Sequence, residues 1–296
     1  MINKNFLTVI SEKVFSFRGT LEIPGDKSIS HRSLILSSIA IGKTKISGLL
    51  ESDDVLATLK SLRHLGVKIS KDSENNYLVY GVGSFGFRSP TNALNLGNSG
   101  TGARLLMGVV SGQNISAKFI GDESLSSRPM NRITCPLKKL GAKIDFDNES
   151  ISKKTLPLTI IGTDTPLPIQ IDNKIASAQI KSAIMLACIN ARGKIIITEP
   201  QISRDHTEIM FRHFGINVKK KSLSNGRHQI SFYGEANLIS KNITIPKDPS
   251  SASFAIVATL ITPKSHLIIP NICLNPQRIG LITTLIEMGA KIKIHN

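Results

Sequence analysis

The sequence predicts an α/β fold built from repeated units, and three observations support this prediction. First, four segments end alike, with an apolar residue, a glycine and the apolar start of a strand; the glycines are Gly66, Gly141, Gly215 and Gly289. Second, these glycines lie 75, 74 and 74 residues apart. Third, a serine-containing helix start lies about 40 residues before each of them. A constant period with matched landmarks is typical of a repeat architecture.

The elements of one unit follow from local chemistry. A glycine suits the position just after a helix, where the backbone adopts a left-handed conformation that only glycine adopts cheaply. Apolar residues at helical spacing precede it, as in Val55, Leu59 and Leu62. A short strand is expected after the first helix of every unit, at residues 45–48, 117–120, 194–198 and 266–269. Each unit is therefore predicted to run strand, helix, strand, helix and one or two further strands.

The composition favours small anionic ligands. The chain of 296 residues has 37 Lys and Arg against 21 Asp and Glu, a formal net charge of +16. Such an excess attracts nucleic acid, an acidic membrane surface or phosphorylated and carboxylated small molecules. The charge is spread along the chain, with no Trp and only three Tyr, which disfavours nucleic acid as a partner. Apolar stretches such as 33–41 and 254–261 are far shorter than the ~20 residues of a membrane span.

The cysteines give information about the cellular compartment but do not indicate a metal site or disulfide bonds. Cys135, Cys188 and Cys273 are widely separated and odd in number. They show neither metal-ligand spacing nor the paired framework of a disulfide-rich protein. We therefore expect three small core residues in a protein of the reducing cytoplasm.

The helix starts carry the chemical signal. A hydroxyl and a cation lie within one turn in three units, as Ser28 with Arg32, Thr101 with Arg104, and Ser177 with Lys181. A helix start presents unpaired N–H groups and a partial positive charge to an anion, and serine is a preferred N-cap. Two second helices are expected to start at Ser127-Arg128-Pro129 and Ser203-Arg204-Asp205, with Pro129 in a first turn. Five such starts in register predict one site for polyanionic ligands.

Five motifs extend these helix starts and carry a family resemblance. They are PGDKSISHR at 24–32, GNSGTGAR at 97–104, GDESLSSRPM at 121–130, ASAQIKS at 176–182 and SRDHTE at 203–208. In this order they resemble the signatures of the 3-phosphoshikimate 1-carboxyvinyltransferases, also called 5-enolpyruvylshikimate-3-phosphate synthases. The sister family that acts on a UDP-amino sugar is less similar. It would show Lys-Asn in place of Lys27-Ser28 and a reactive cysteine loop.

The resemblance implies an enolpyruvyl transferase fold. That fold has two domains, each of three βαβαββ units around a pseudo-threefold axis. Residues 23–244 would form a complete, substrate-binding domain, and residues 1–22 plus 245–296 an incomplete second domain. Roughly the last third of a family member would then have no counterpart here. The family's general-base Asp and its Lys-Glu-x-x-Arg and Asp-His-Arg segments belong to that third.

The resemblance also implies a reaction without metal or organic cofactor. An enolpyruvyl group would pass from phosphoenolpyruvate to the 5-hydroxyl of shikimate 3-phosphate, in the biosynthesis of chorismate and aromatic amino acids. The ligands of shikimate 3-phosphate would be Lys27, Ser28, Arg32, Ser177, Gln179 and Arg204. Those of phosphoenolpyruvate would be Lys27, Gly100, Arg128 and Gln179. Lys27 would also assist proton transfer. We expect residues 1–296 alone to be weakly active or inactive, and a second chain is a candidate to complete the site.

Other polar residues have structural interpretations. Asn98 and Arg104 are expected to order the glycine loop, Lys181 to pair with a carboxylate, and His206 to be structural. Residues 52–54 resemble a capped helix start with acids favoured by the helix dipole rather than paired catalytic carboxylates.

Two alternatives and one departure stay open. The chain could be an inactive remnant that still binds shikimate 3-phosphate. It could also be a different relative of this architecture, such as a UDP-N-acetylglucosamine enolpyruvyl transferase or an RNA-phosphate cyclase-like protein. Lys247 stands where a glycine is common in the family, and it would be strained if the bend there needs a positive φ.

Overall fold

The computed structural model describes residues 10, 12–147, 151–235 and 237–295. Contacts divide the chain into two units, Gly25–Pro246 and Met1–Pro24 with Lys247–Asn296. Part of the predicted 1–22 segment, residues 1–9 and 11, lies outside the described residues. The assignment of one complete and one incomplete domain stays a prediction. No described helix is long and apolar enough to cross a membrane.

Helices and strands alternate along the described chain. The helices are α1 (Lys27–Ile39), α2 (Asp53–His64), α3 (Gly100–Ser111), α4 (Glu123–Ser126), α5 (Asn131–Lys139), α6 (Ala178–Ala187), α7 (His206–His213), α8 (Pro249–Ile261) and α9 (Gly280–Glu287). The strands are β1 (Arg18–Thr20), β2 (Ile41–Ser47), β3 (Lys68–Lys71), β4 (Tyr77–Val82), β5 (Leu94–Asn95), β6 (Ser116–Ile120), β7 (Lys143–Phe146), β8 (Leu158–Ile161), β9 (Gln170–Asp172), β10 (Lys194–Glu199), β11 (Lys219–Ser222), β12 (His228–Tyr233), β13 (Ile243–Thr244) and β14 (His266–Ile268).

One sheet topology recurs in the described part of Gly25–Pro246. Three four-stranded sheets have the orders β13-β2-β4-β3, β5-β6-β8-β7 and β9-β10-β12-β11. In each sheet the first two strands are parallel and the remaining neighbours antiparallel. The predicted strand and helix repeat is confirmed for these three units, with one difference, whereas no strand follows Gly289 among the described residues. The first sheet takes its first strand, β13, from the far end of the unit, where Ile243 pairs with Ile46.

The four repeated glycines end helices, as predicted. Their φ angles are +96° at Gly66, +109° at Gly141, +102° at Gly215 and +92° at Gly289. After α2 the Gly66 N–H donates to Arg63 O and the Val67 N–H donates to Leu62 O, each at 3.0 Å. The same pair of bonds follows α5, α7 and α9. This arrangement satisfies carbonyl groups that a helix end leaves unpaired.

The helix starts differ from the prediction in two of four units. The N-caps of α1, α3, α6 and α8 are Asp26, Ser99, Ser177 and Asp248. Serine therefore caps α3 and α6, whereas Ser28 and Ser250 lie inside α1 and α8. The Asp26 carboxylate accepts the Ile29 N–H at 2.8 Å. A carboxylate also interacts favourably with the positive end of the helix dipole, which explains why aspartate replaces serine here.

Of the two basic segments expected to start second helices, residues 127–129 do not start one, whereas residues 203–205 lead directly into α7. Pro129 lies between α4 and α5, before the N-cap Met130, so the prediction of a first helical turn there is wrong. Helix α7 begins at His206 with Asp205 as its N-cap, so this helix starts at the end of the predicted segment. Arg128 and Arg204 are therefore both carried by loops, at the points where the chain enters α5 and α7.

Close packing of α3 on α6 holds the centre of Gly25–Pro246 together. A Cβ atom on Gly108 would lie 2.4 Å from the Ala183 carbonyl oxygen, and one on Gly112 would lie 2.2 Å from that of Ala187. These separations are too short for any side chain, so both glycines are required by the approach of the two backbones. Helices α1, α3 and α6 are buried along most of their length.

The other unit shows that Lys247 is not strained. Lys247 does not have a positive φ angle, and its N–H donates to the Asn271 carbonyl oxygen at 2.9 Å. The condition under which Lys247 would be strained is therefore not met, because this bend needs no left-handed residue. In the same unit the Arg278 guanidinium forms an ion pair of 2.9 Å with the N-cap Asp248.

The cysteines only partly match the prediction of core residues. Cys188 and Cys273 are buried, but Cys135 is exposed. It lies on α5, whose buried positions are Ile133, Thr134 and Leu137. Burial raises the pKa of the Cys188 thiol to about 12.

Candidate anion-binding site

The start of α1 carries three candidate residues. The Lys27 side chain is 46% exposed, and its ammonium group forms an ion pair with the Asp54 carboxylate at the start of α2. Ser28 is half-buried. Arg32, one turn further on the same helix face, is only 4% exposed. The solvent-facing cation of this helix start is therefore Lys27.

Arg32 is fixed by three helices. Its Nε donates to Thr207 Oγ1 on α7 at 2.7 Å, and its Nη2 donates to Ser182 Oγ on α6 at 2.9 Å. Its Nη1 donates to the Ser28 carbonyl oxygen at 2.9 Å. The hydroxyls of Ser182 and Thr207 lie 2.6 Å apart. These contacts lock the plane of the guanidinium before any ligand arrives.

The glycine loop before α3 is ordered by side-chain hydrogen bonds. Asn98 Nδ2 donates to Asp122 Oδ2 at 2.9 Å, and Arg128 donates to Asn98 Oδ1. The predicted role of Asn98 in ordering the loop is confirmed. A Cβ atom on Gly100 would lie 3.0 Å from Arg128 Nη1, so the arginine lies directly beside the bare backbone of the helix start.

Gln179 joins the starts of α3 and α6. Arg104 Nη1 donates to Gln179 Oε1 at 2.7 Å, and Gln179 Nε2 donates to Thr101 Oγ1 at 3.0 Å. The same Arg104 nitrogen lies 3.4 Å from the position of a Cβ on Gly100. Gly100, Arg104, Arg128 and Gln179 therefore form one contiguous group.

Ser177 and the loop before α7 meet at a buried carboxylate. The Ser177 N–H donates to Glu199 Oε1 at 3.4 Å. The Ser203 hydroxyl lies 2.8 Å and 2.9 Å from the two Glu199 oxygens. Arg204, the next residue, is exposed. The structure thus holds Ser177 close to the residue that precedes Arg204.

Lys181 pairs with two carboxylates, which confirms the prediction made for it. Its Nζ lies 3.0 Å from Glu199 Oε2 and 2.7 Å from Glu208 Oε1, and all three side chains are at most 2% exposed. Burial raises the pKa of Glu208, an effect that Lys181 opposes. His206, expected to be structural, is also buried.

The electrostatics of the site indicate an excess of positive charge. Burial and the charges of Arg128 and Arg132 lower the pKa of Arg104. Burial, together with Arg32 and Lys27, lowers the pKa of His31 to about 3. Neighbouring cations depress the pKa of a basic group because they disfavour a further positive charge. An anionic ligand would relieve this repulsion.

Sequence reasoning missed the residues that support the candidate ligands. Asp54, Ser182, Glu199 and Thr207 all contact a predicted ligand or its neighbour. Ser182 and Thr207 lie within the motifs at 176–182 and 203–208, although no role was predicted for them. Glu199 had a separate signal, since a carboxylate that ends an apolar strand needs a partner when buried. The described residues hold no group of three or more His, Cys, Asp or Glu placed to bind a metal ion.

The fold and the site together define a class. The chain is a repeat-built α/β protein in which cationic side chains gather at the starts of three buried helices. Comparison with known proteins makes the class specific. The sequence profile of the family described as EPSP synthase (3-phosphoshikimate 1-carboxyvinyltransferase) matches residues 12–296. The chain therefore belongs to the EPSP synthase family.

Individual relatives agree with this assignment. The chain is 49% identical over 277 residues to a 3-phosphoshikimate 1-carboxyvinyltransferase of Bradyrhizobium diazoefficiens, a match that covers 93% of this chain and 58% of that protein. It is 45% identical over 294 residues to the one of Parvibaculum lavamentivorans, covering 99% of this chain and 64% of the relative.

A solved structure confirms the predicted enolpyruvyl transferase fold. EPSP synthase from Acinetobacter baumannii superposes with a TM-score of 0.86 at 43% identity, covering 95% of this chain and 61% of that one. The chain thus spans about three fifths of the length of these relatives.

Proposed function

We propose that this chain binds shikimate 3-phosphate and phosphoenolpyruvate and serves enolpyruvyl transfer between them. The 5-hydroxyl of shikimate 3-phosphate would add to C2 of phosphoenolpyruvate while C3 gains a proton. Loss of a proton from C3 and of inorganic phosphate would then give 5-enolpyruvylshikimate 3-phosphate. The observation that carries the proposal is that Arg32 and Arg104 lie near the starts of α1 and α3, with Arg128 in a loop beside Gly100. Burial and the charges of Arg128 and Arg132 depress the pKa of Arg104.

The roles of the residues are proposed from family membership and from this geometry. Ser28 and Arg32 would hold the ring and carboxylate of shikimate 3-phosphate, and Ser177 with Arg204 its phosphate. A planar guanidinium suits both anions because it can donate two parallel hydrogen bonds. The locked plane of Arg32 supports this role, since little side-chain freedom is left to lose on binding.

Phosphoenolpyruvate would lie at the start of α3. Gly100 leaves the backbone open beside Arg128, and the partial positive charge of the helix start favours its carboxylate and phosphate. Gln179, which is bonded to Arg104 and Thr101, would bridge the two ligands. Lys27 would contact both and assist proton transfer. Its ion pair with Asp54 would be exchanged for the substrates on binding.

The proposal is tested by titration calorimetry with shikimate 3-phosphate. Arg204 is exposed, so Arg204→Ala removes a proposed phosphate ligand without disturbing the core. A charged hydrogen bond contributes about 1.5–3 kcal/mol, so we expect affinity to fall about 10- to 100-fold. The matched control is Arg192→Ala, which removes an exposed arginine paired with Glu235 and should bind as the wild type. Failure of the wild-type chain to bind, or equal binding by Arg204→Ala, would refute the assignment.

Three further statements stay proposals of the same kind. They are a cytoplasmic location, weak or absent turnover by residues 1–296 alone, and completion of the site by a second chain. The calorimetric test does not depend on them, because the proposed ligands of shikimate 3-phosphate all lie within Gly25–Pro246.

A further inference from the structure

A buried carboxylate, Glu199, connects the two proposed phosphate ligands. It is the last residue of β10 and is 1% exposed. One oxygen accepts the Ser177 N–H at 3.4 Å and the Ser203 hydroxyl at 2.8 Å. The other lies 3.0 Å from Lys181 Nζ. A single side chain therefore contacts Ser177 itself and the residue that precedes Arg204.

Lys181 reinforces the same connection. Its Nζ donates to the Ser203 carbonyl oxygen at 3.3 Å as well as to Glu199. Ser203 is thus held through its hydroxyl by Glu199 and through its carbonyl by Lys181. Both contacts fix the backbone immediately before Arg204, whose own side chain is exposed. Because Ser203 is anchored through both its side chain and its carbonyl group, it presents the next residue in a defined direction.

A gain in folding stability does not by itself explain why Lys181, Glu199 and Glu208 are buried together. Desolvating one ammonium and two carboxylates is costly, and well-packed apolar side chains of the same volume often do as well or better. Buried ionic groups are retained where they fix a particular geometry, and here the geometry that they fix is that of Ser177 and Ser203.

We propose that Glu199 is a positioning residue. Held in place by Lys181, it would fix the distance between Ser177 and Arg204 and the direction in which each side chain points, so that both bind the same phosphate group. Glu199 does not touch the ligand in this role. The proposal rests on the proposed function, since it deepens the assignment of Ser177 and Arg204 to the phosphate of shikimate 3-phosphate.

The charge balance fits this role. One lysine and two carboxylates would leave the cluster negative beside an anion site, unless one carboxylate carries a proton. Glu208 pairs with Lys181 and contacts neither serine, and burial raises its pKa and so favours its protonated form, an effect that Lys181 opposes. Glu199 is the carboxylate that contacts both Lys181 and the two serines.

The experiment compares two substitutions with the same chemistry. Glu199→Gln and Glu208→Gln each replace one buried acidic side chain that contacts the same lysine, but only Glu199 contacts the serines. Each variant and the wild type are titrated with shikimate 3-phosphate and with shikimate, which lacks the phosphate. The measured quantity is the ratio of the two affinities. Urea unfolding of each variant reports the accompanying loss of stability.

We expect Glu199→Gln to lower the affinity ratio by about tenfold or more, as for loss of one aligned charged hydrogen bond. Glu208→Gln should change the ratio by less than about threefold, whatever its effect on stability. A purely structural role predicts that both variants lose stability and leave the ratio unchanged, and that result would overturn the proposal. If Glu199→Gln does not fold, Ser203→Ala removes one contact of the carboxylate and should lower the same ratio.

The two hypotheses fail in different ways. If wild-type chain binds neither ligand, the proposed function fails and the positioning role fails with it. If wild-type chain binds shikimate 3-phosphate better than shikimate and Glu199→Gln keeps that preference, only the positioning role is wrong.

Discussion

Lowering the pH should destabilise the chain through His31. This histidine is completely buried in α1, and its Nδ1 lies 2.9 Å from Thr58 Oγ1, while its Nε2 has no hydrogen-bond partner among the residues that the structure describes. Burial, with Arg32 and Lys27 nearby, lowers its pKa from 6.5 to about 3. Protonation in the folded state would bury a charge beside other cations and leave the new N–H unsatisfied.

The sign and size of the effect follow from linkage. Because the folded pKa lies below the unfolded pKa, the unfolded state takes up the proton first as the pH falls. Stability is fully present above 6.5 and is lost progressively as the pH falls from 6.5 towards 3. Between pH 7.5 and pH 5 the loss from this one group is about 2 kcal/mol.

The assay is urea unfolding of the wild type and of His31→Asn at the two pH values. The variant loses packing and a hydrogen bond, but that loss is nearly the same at both pH values and cancels in the difference. Other titrating groups, including Glu208, are common to both proteins and cancel as well. The wild type should lose about 2 kcal/mol more than the variant between pH 7.5 and pH 5. Equal losses would show that His31 is protonated in the folded state, and the reasoning about this helix would be wrong.

Two further perturbations separate the site from the scaffold. In Gly100→Ala the new Cβ would lie 3.0 Å from Arg128 Nη1, so the guanidinium must shift. Calorimetry in the presence of shikimate 3-phosphate should show about tenfold weaker binding of phosphoenolpyruvate. Binding of shikimate 3-phosphate itself should be unchanged. Weaker binding of both compounds would contradict the assignment of Gly100 and Arg128 to phosphoenolpyruvate alone. Gly215 has a φ of +102° and open space around its Cβ position. Gly215→Ala should therefore cost about 1–2 kcal/mol of unfolding free energy and Gly215→Asn less, and equal costs would exclude backbone strain as the cause.

The features that sequence predicted well are governed by chemistry local to the chain. The left-handed glycines after α2, α5, α7 and α9 are required by the backbone itself, so their 74-residue period was visible without any tertiary information. The pairing of Lys181 was predictable for a related reason. A lysine in an apolar helix must find a carboxylate if it is buried.

The features that sequence did not predict depend on contacts between distant segments. Strand β13 closes the first sheet from the other end of Gly25–Pro246, and no local pattern distinguishes it from a loop. Arg32 is held by hydrogen bonds to Ser182 and Thr207, which lie 150 and 175 positions further along the chain. Cys135 was expected in the core because cysteine usually is buried, but its position on α5 places it at the surface.

The central claim is that the helix starts of Gly25–Pro246 bind shikimate 3-phosphate in one orientation. A crystal structure of the chain grown with this compound tests it most directly. The phosphate should lie within hydrogen-bond distance, about 3 Å, of Ser177 Oγ and the Arg204 guanidinium, with the carboxylate towards Ser28 and Arg32. A ligand bound elsewhere, or with its phosphate at Arg32, would contradict the claim.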